Sequence, residues 1–159
     1  MKSGSGRNGA GGRRRCHLLG KSISIIYRRA QTFIGNELRP LGIGSGTYSA
    51  LLELSKEDGQ SQEMLAESIG VDKAAMKRAI DDLVARGFVE RSTNESDRRA
   101  YRITLTRKGM ETIPTIFAVA RKWEKRITLG LEKDDKAALS VLLEKLAANS
   151  LNNSESENA

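Results

Sequence analysis

The chain of 159 residues has one cysteine, one histidine, two prolines, and aromatic side chains at only 4% of its positions. Each scarcity closes a class of function. Cys16 has no second thiol with which to form an internal disulfide, which suits a reducing compartment. His17, beside it, is the sole histidine, and no cluster of His, Cys or paired carboxylates at ligand spacing occurs elsewhere. No glycine-rich phosphate loop opens a helix after a strand. Catalysis, a metal and a cofactor are therefore not expected, and Cys16 reads as an incidental thiol. Long apolar runs are missing too. None approaches the roughly 18 residues of a membrane span, and the N-terminus has no signal-peptide core. A cytoplasmic chain with no membrane partner is the expectation.

Acid is absent from the first 15 residues, "MKSGSGRNGAGGRRR", which hold five basic side chains. The net charge of +7 is therefore mostly a property of this tail, since the remaining 22 basic residues face 20 acidic ones. Bulk charge says little about nucleic acid; local clustering has to carry that argument. The Gly-rich stretch 1–17 reads as a disordered basic tail, and 149–159 as a second disordered tail.

Between the tails, residues 18–148 are long enough for one domain with a real core. Leu19, Ile23, Ile26, Ala30, Phe33, Ile34 and Leu38 recur at helical steps and predict a long first helix ended by Pro40. "TYSALLELSK" predicts a second helix, stopping near "EDGQ". The block "SQEMLAESIGVDKAAMKRAIDDLVARGFVERS", residues 61–92, then reads as two short helices around a turn at Ile69-Gly70-Val71. Ser61 and Asp72 are the expected N-caps, and Gly87 ends the second helix. Leu65, Ala66 and Ile69 form the buried stripe of the first; Met76, Ile80, Leu83 and Val84 form that of the second. Ala74, Arg78, Asp81 and Ala85 fall opposite that stripe, with Ala75 and Lys77 on its flanks. Small and basic exposed turns at a helix N-terminus suit a DNA major groove.

"GFVERS" is a strand signal, and "YRITLT" alternates with Tyr101, Ile103 and Leu105 on one face. The polar segment between them makes the pair a hairpin with Asp97, Arg98 and Arg99 at its tip. A helix-turn-helix followed by such a hairpin is a winged helix. The tip arginines are placed to reach phosphates or a narrow minor groove, and Asp97 to orient one of them. Residues 107–148 carry further stripes: Met110, Ile113, Phe117 and Ala120, then Trp123, Ile127 and Leu131, then Leu139, Leu142, Leu143 and Leu146. Pro114 is expected to kink the helix that contains it. These stripes exceed what a small winged helix covers, and pairing the two chain ends across a two-fold axis would bury them.

The run "SQEMLAESIGVDKAAMKRAIDDLVARGFVERSTNESDRRAYRITLTRKG", residues 61–109, resembles the multiple antibiotic resistance regulator (MarR) family of winged-helix transcription factors, and "DRRAYRITLTRKG" is its most specific part. The resemblance implies a mainly α fold with a small antiparallel β wing. A winged helix-turn-helix over 46–106 would be flanked by dimerisation helices over 18–39 and 107–148. It implies a homodimer on pseudo-palindromic duplex DNA with half-sites about one helical turn, roughly 34 Å, apart. It also implies release by a small molecule bound between the dimer helices and the winged helix. The DNA-facing set is then Ser61, Gln62, Asp72, Lys73, Ala74, Ala75, Lys77, Arg78, Arg98 and Arg99, with Asp97 orienting the wing. Ala74 and Ala75 stand where hydroxyl residues often serve that family as DNA contacts. The alternative use of the same fold is a protein-interaction module whose basic wing is solvated; no catalytic, metal or ligand-binding residue is assigned under either.

Overall fold

The computed structural model describes residues 19–93 and 101–156. Cys16 and His17, and with them Asp97, Arg98 and Arg99 of the expected wing tip, lie outside the described residues. The order of elements is α1 (Leu19–Leu38), α2 (Tyr48–Lys56), β1 (Gln60–Ser61), α3 (Gln62–Ile69), α4 (Lys73–Ala85), β2 (Val89–Thr93), β3 (Tyr101–Leu105), α5 (Arg107–Ile127) and α6 (Lys133–Ser156).

Pro40 ends α1, and the chain leaves through one 3-10 turn, Arg39–Leu41, with the proline in its first turn. There the missing amide hydrogen costs nothing, because the first N–H groups of a helix have no partner within it. Gly42, at φ 75°, closes the turn and delivers Ile43 into the core, 1% exposed. The core gathers Leu38 and Ile43, Leu51 and Leu54 of α2, Leu65 of α3, Met76, Ile80 and Leu83 of α4, Phe88, Ile103 of β3 and Ile116 of α5. Each side chain named in the buried stripes of α3 and α4 is buried or half-buried.

The wing has three strands, not two. In the antiparallel order β1-β3-β2, Gln60 faces Ile103 and Ser61 faces Arg102, while Val89 through Thr93 face Leu105 through Tyr101. A two-residue strand shows no period, and its signal lies in what precedes it. Asp58 accepts the Leu105 amide at 2.9 Å, and Gly59, at φ 76°, donates its amide to the Ile103 carbonyl at 3.1 Å. The alternation along β3 holds, but Tyr101 lies beyond the core's edge and is 55% exposed, whereas Ile103 on the same face is fully buried.

Helix α5 runs through Pro114 as one element. Its buried residues are Gly109, Ile116 and Val119, with Ile113 partly covered, while Met110 and Phe117 of the expected stripe are exposed. The inward face is thus rotated from the one read off the sequence, because α5 packs on α2 and must bring Gly109 against the Phe88 carbonyl. It also packs on α1, where the Phe33 and Trp123 rings lie 5.5 Å apart and Lys122 pairs with Glu37 at 2.7 Å. Helix α6 reaches Ser156, well into the stretch 149–159 expected to be a tail; Ala147, Ala148 and Leu151 have the helix propensity to carry it on. Its side chains described, through residue 151, are all exposed.

Candidate nucleic-acid interface

Two caps fix the helix-turn-helix. The Ser61 hydroxyl accepts the Met64 amide at 3.1 Å, and Asp72 Oδ1 accepts the Ala75 amide at 2.7 Å. Between them Gly70 adopts φ 73° and donates its amide to the Glu67 carbonyl, while the Val71 amide reaches back to Ala66 at 3.0 Å. Only glycine takes that left-handed turn without strain. Ser61 and Asp72 are therefore engaged as caps, and their contribution to an interface is to present the first turns of α3 and α4.

On α4, Lys73, Ala74, Lys77 and Arg78 are exposed and Ala75 is half-buried; Gln62, at the start of α3, is also half-buried. Lys77 is not free: its ammonium pairs with Asp81 at 2.8 Å. Asp81 also accepts the Arg91 guanidinium of β2 at 2.6 Å. The hydrogen bond from Lys77, and then that from Arg91, hold its carboxyl below the usual range. Among the described residues, Lys73 and Arg78 make no ion pair and are the unengaged long donors of this helix.

The far end of α4 is tied to α5. The Lys108 ammonium donates to the Arg86 carbonyl at 2.7 Å and lies 4.3 Å from the centre of the Phe88 ring. The Thr106 hydroxyl donates to the Gly87 carbonyl at 2.7 Å and accepts the Gly109 amide at 3.1 Å, capping α5. These contacts fix where the recognition helix stands relative to the long helices. On the other side of α4, a cleft of about 420 Å³ opens between Tyr27 of α1, Ser49 of α2, Val71 of the turn, and Ala75, Arg78 and Asp82.

Of the residues expected from sequence, Ser61 and Gln62 thus stand at the start of α3, and Asp72, Lys73, Ala74, Ala75, Lys77 and Arg78 at the cap and first two turns of α4, apart from the tip residues that lie outside the described ones. Sequence reading missed Arg91 and the shared role of Asp81. A signal for Arg91 existed: two residues after Val89 on a strand, it falls on the face that should be buried, so it needs an acid opposite.

A capped helix-turn-helix whose second helix exposes unpaired basic side chains, backed by a β wing, defines a winged-helix DNA-binding protein. The family model for MarR matches residues 45–101. The HTH-type transcriptional regulator BilQ of Clostridium symbiosum is 32% identical over 124 residues, which is 77% of this chain and 86% of that protein. A solved MarR transcriptional regulator from Methanosarcina mazei Go1 is 37% identical, with a TM-score of 0.81 over 84% of this chain and 96% of that one. A mutant MarR from E. coli complexed with operator DNA is 26% identical, with a TM-score of 0.72 over 80% of this chain and 92% of that one. The chain belongs to the MarR family of transcription regulators, which are DNA-binding proteins and not enzymes. Among the described residues, no helix is long and apolar enough to cross a membrane.

Proposed function

We propose that this regulator works in the cytoplasm as a homodimer on a pseudo-palindromic operator, and that a small molecule releases it. The observation that carries the DNA reading is the first two turns of α4, where Lys73 and Arg78 stand exposed and unpaired among the described residues beside the small Ala74 and Ala75. Arg78 is the base reader in this scheme, because a guanidinium can take both acceptors of a guanine edge. Lys73 lies toward phosphates, Lys77 stands on the same exposed face with its ammonium held by Asp81, and Ser61, Gln62 and Asp72 support the backbone approach at the two helix starts. Arg98 and Arg99 take phosphate or minor-groove contacts at the wing tip, with Asp97 orienting them; strands β2 and β3 lead to that segment.

The dimer is supported by apolar side chains left uncovered at both chain ends. Leu19, Ile23 and Ile26 of α1, and Leu139, Leu142, Leu143 and Leu146 of α6, are 37% to 57% exposed. The release step is supported by the cleft beside α4, because Tyr27 there belongs to a long outer helix while Ala75 and Arg78 belong to the reader. An occupant that shifts α4 by even a side-chain radius would misplace Arg78.

Selection of bound sequences from a random duplex pool tests the reading. Recovery of an inverted repeat with half-site centres about one helical turn apart is expected. Recovery of no preferred sequence overturns it.

A further inference from the structure

Beyond the apolar core they share, the wing and the recognition helix are joined by one carboxylate. Asp81 holds Lys77 of its own helix through Oδ2 at 2.8 Å and Arg91 of β2 through Oδ1 at 2.6 Å. The strand register explains why Arg91 is available. Val89 pairs with Leu105 and Arg91 with Ile103, so Arg91 extends the wing face that buries Val89 and Ile103. That face lies against α4. Arg91 thus turns its guanidinium to the recognition helix while staying partly open to solvent, its side chain 29% exposed against 65% for Lys77.

We propose that Asp81 is a positioning residue for DNA discrimination, tying the wing to the recognition helix in fixed register and holding Lys77 back from indiscriminate phosphate contact. The proposal rests on the DNA-binding reading. Specific binding needs α4 seated in the major groove and the wing on the flanking backbone at once, so a loose wing weakens it. Non-specific binding needs only cations near phosphates and tolerates the looseness. Neutralising Asp81 therefore lowers selectivity by both routes, since it frees the wing and releases Lys77.

The test uses the full chain and the duplex it selects from a random pool, with a scrambled duplex of equal length as reference. The ratio of affinities for the two is measured for the parent, D81N, R91Q, the double variant and R91K. Each of the first two substitutions is expected to lower the ratio about fivefold, and the double variant no further than the poorer single, because both break the same contact. R91K, which retains a cation for Asp81, should restore most of the ratio. On the scrambled duplex, D81N should bind more tightly, with a log-log salt slope steeper by about 0.9 for the phosphate that Lys77 gains. An unchanged ratio in either single, or losses that multiply in the double, overturns the proposal. So does a shallower slope in R91Q, which would place Arg91 on phosphate. If the parent selects no sequence, the DNA-binding reading falls and takes this inference with it. If the parent selects normally and the ratios stand unchanged, this inference alone falls.

Discussion

Gly109 stands where α5 begins under the end of α4, and any side chain there collides with the Phe88 carbonyl. The obstacle is backbone, and the same carbonyl accepts the Thr106 amide at 3.0 Å, so it cannot swing aside cheaply. Gly109→Ala gains about 1 kcal/mol of helix propensity, yet overpacking costs about 1 to 3 kcal/mol, and here the carbonyl's bond is at risk as well. Thermal unfolding at fixed protein concentration should drop by about 2 to 6 °C. An unchanged or higher midpoint would mean that the two helices separate easily. Arg78 presents the opposite case, a side chain with no ion pair among the described residues. Arg78→Ala should leave the unfolding midpoint in place, cost about 1 to 3 kcal/mol in operator binding and relax preference at one base position. Both effects can be read from the affinities of single-base operator variants.

Among the elements, the helices were legible because each repeats its apolar residues often enough to show a period, and Ser61 and Asp72 marked their starts by chemistry as well as position. Strand β1 was not legible, since two residues have no period and their partners, Ile103 for Gln60 and Arg102 for Ser61, lie far along the chain. The face of α5 was misread for a related reason: Met110 and Phe117 are as apolar as Ile116 and Val119, and only the packing of α5 on α1 and α2, with Gly109 against the Phe88 carbonyl, decides which side turns inward. Of the tie between Asp81 and Arg91 only half was legible: the strand face of Arg91 asks for an acid, but charge pattern does not say that Asp81 is the one it meets. At the first turn of α2 lies a testable half-buried group, Tyr48. Burial, and next the neighbouring Tyr27 phenol, raise its phenol above the ordinary value of 10.0. The folded state therefore favours the neutral phenol. Its contribution to stability is intact below pH 10, the unfolded value, and is lost as pH rises from there through the folded one. Denaturant midpoints of the parent should thus fall more steeply above pH 10 than those of Tyr48→Phe, with the difference vanishing at neutral pH. Parallel curves would place the phenol in water.

At the scale of the whole molecule, the core belongs to the winged helix and its junction with α1 and α5, and it stops short of both chain ends. The sequence indicated as much, because its stripes at the two ends exceeded what the middle could cover; what it could not supply was which residues remain outside. Leu142 and Leu146 are 57% and 39% exposed and lie one turn apart on the same face of α6. Leu19, Ile23 and Ile26 of α1 are likewise exposed, and in the proposed dimer a second copy would cover both ends. In dilute moderate-salt buffer, light scattering should give about twice the 17.4 kDa chain mass. The double substitution Leu142→Glu, Leu146→Glu should give a species near the single-chain mass with the winged-helix core intact, since neither side chain contributes to that core. Its operator affinity should drop by about 100-fold or more, because the second half-site no longer binds as an intramolecular event. Affinity for an isolated half-site should hardly change. A parent that scatters as a single chain at micromolar concentration, or a charged variant that still scatters as a dimer, would mean that these apolar faces serve some other contact.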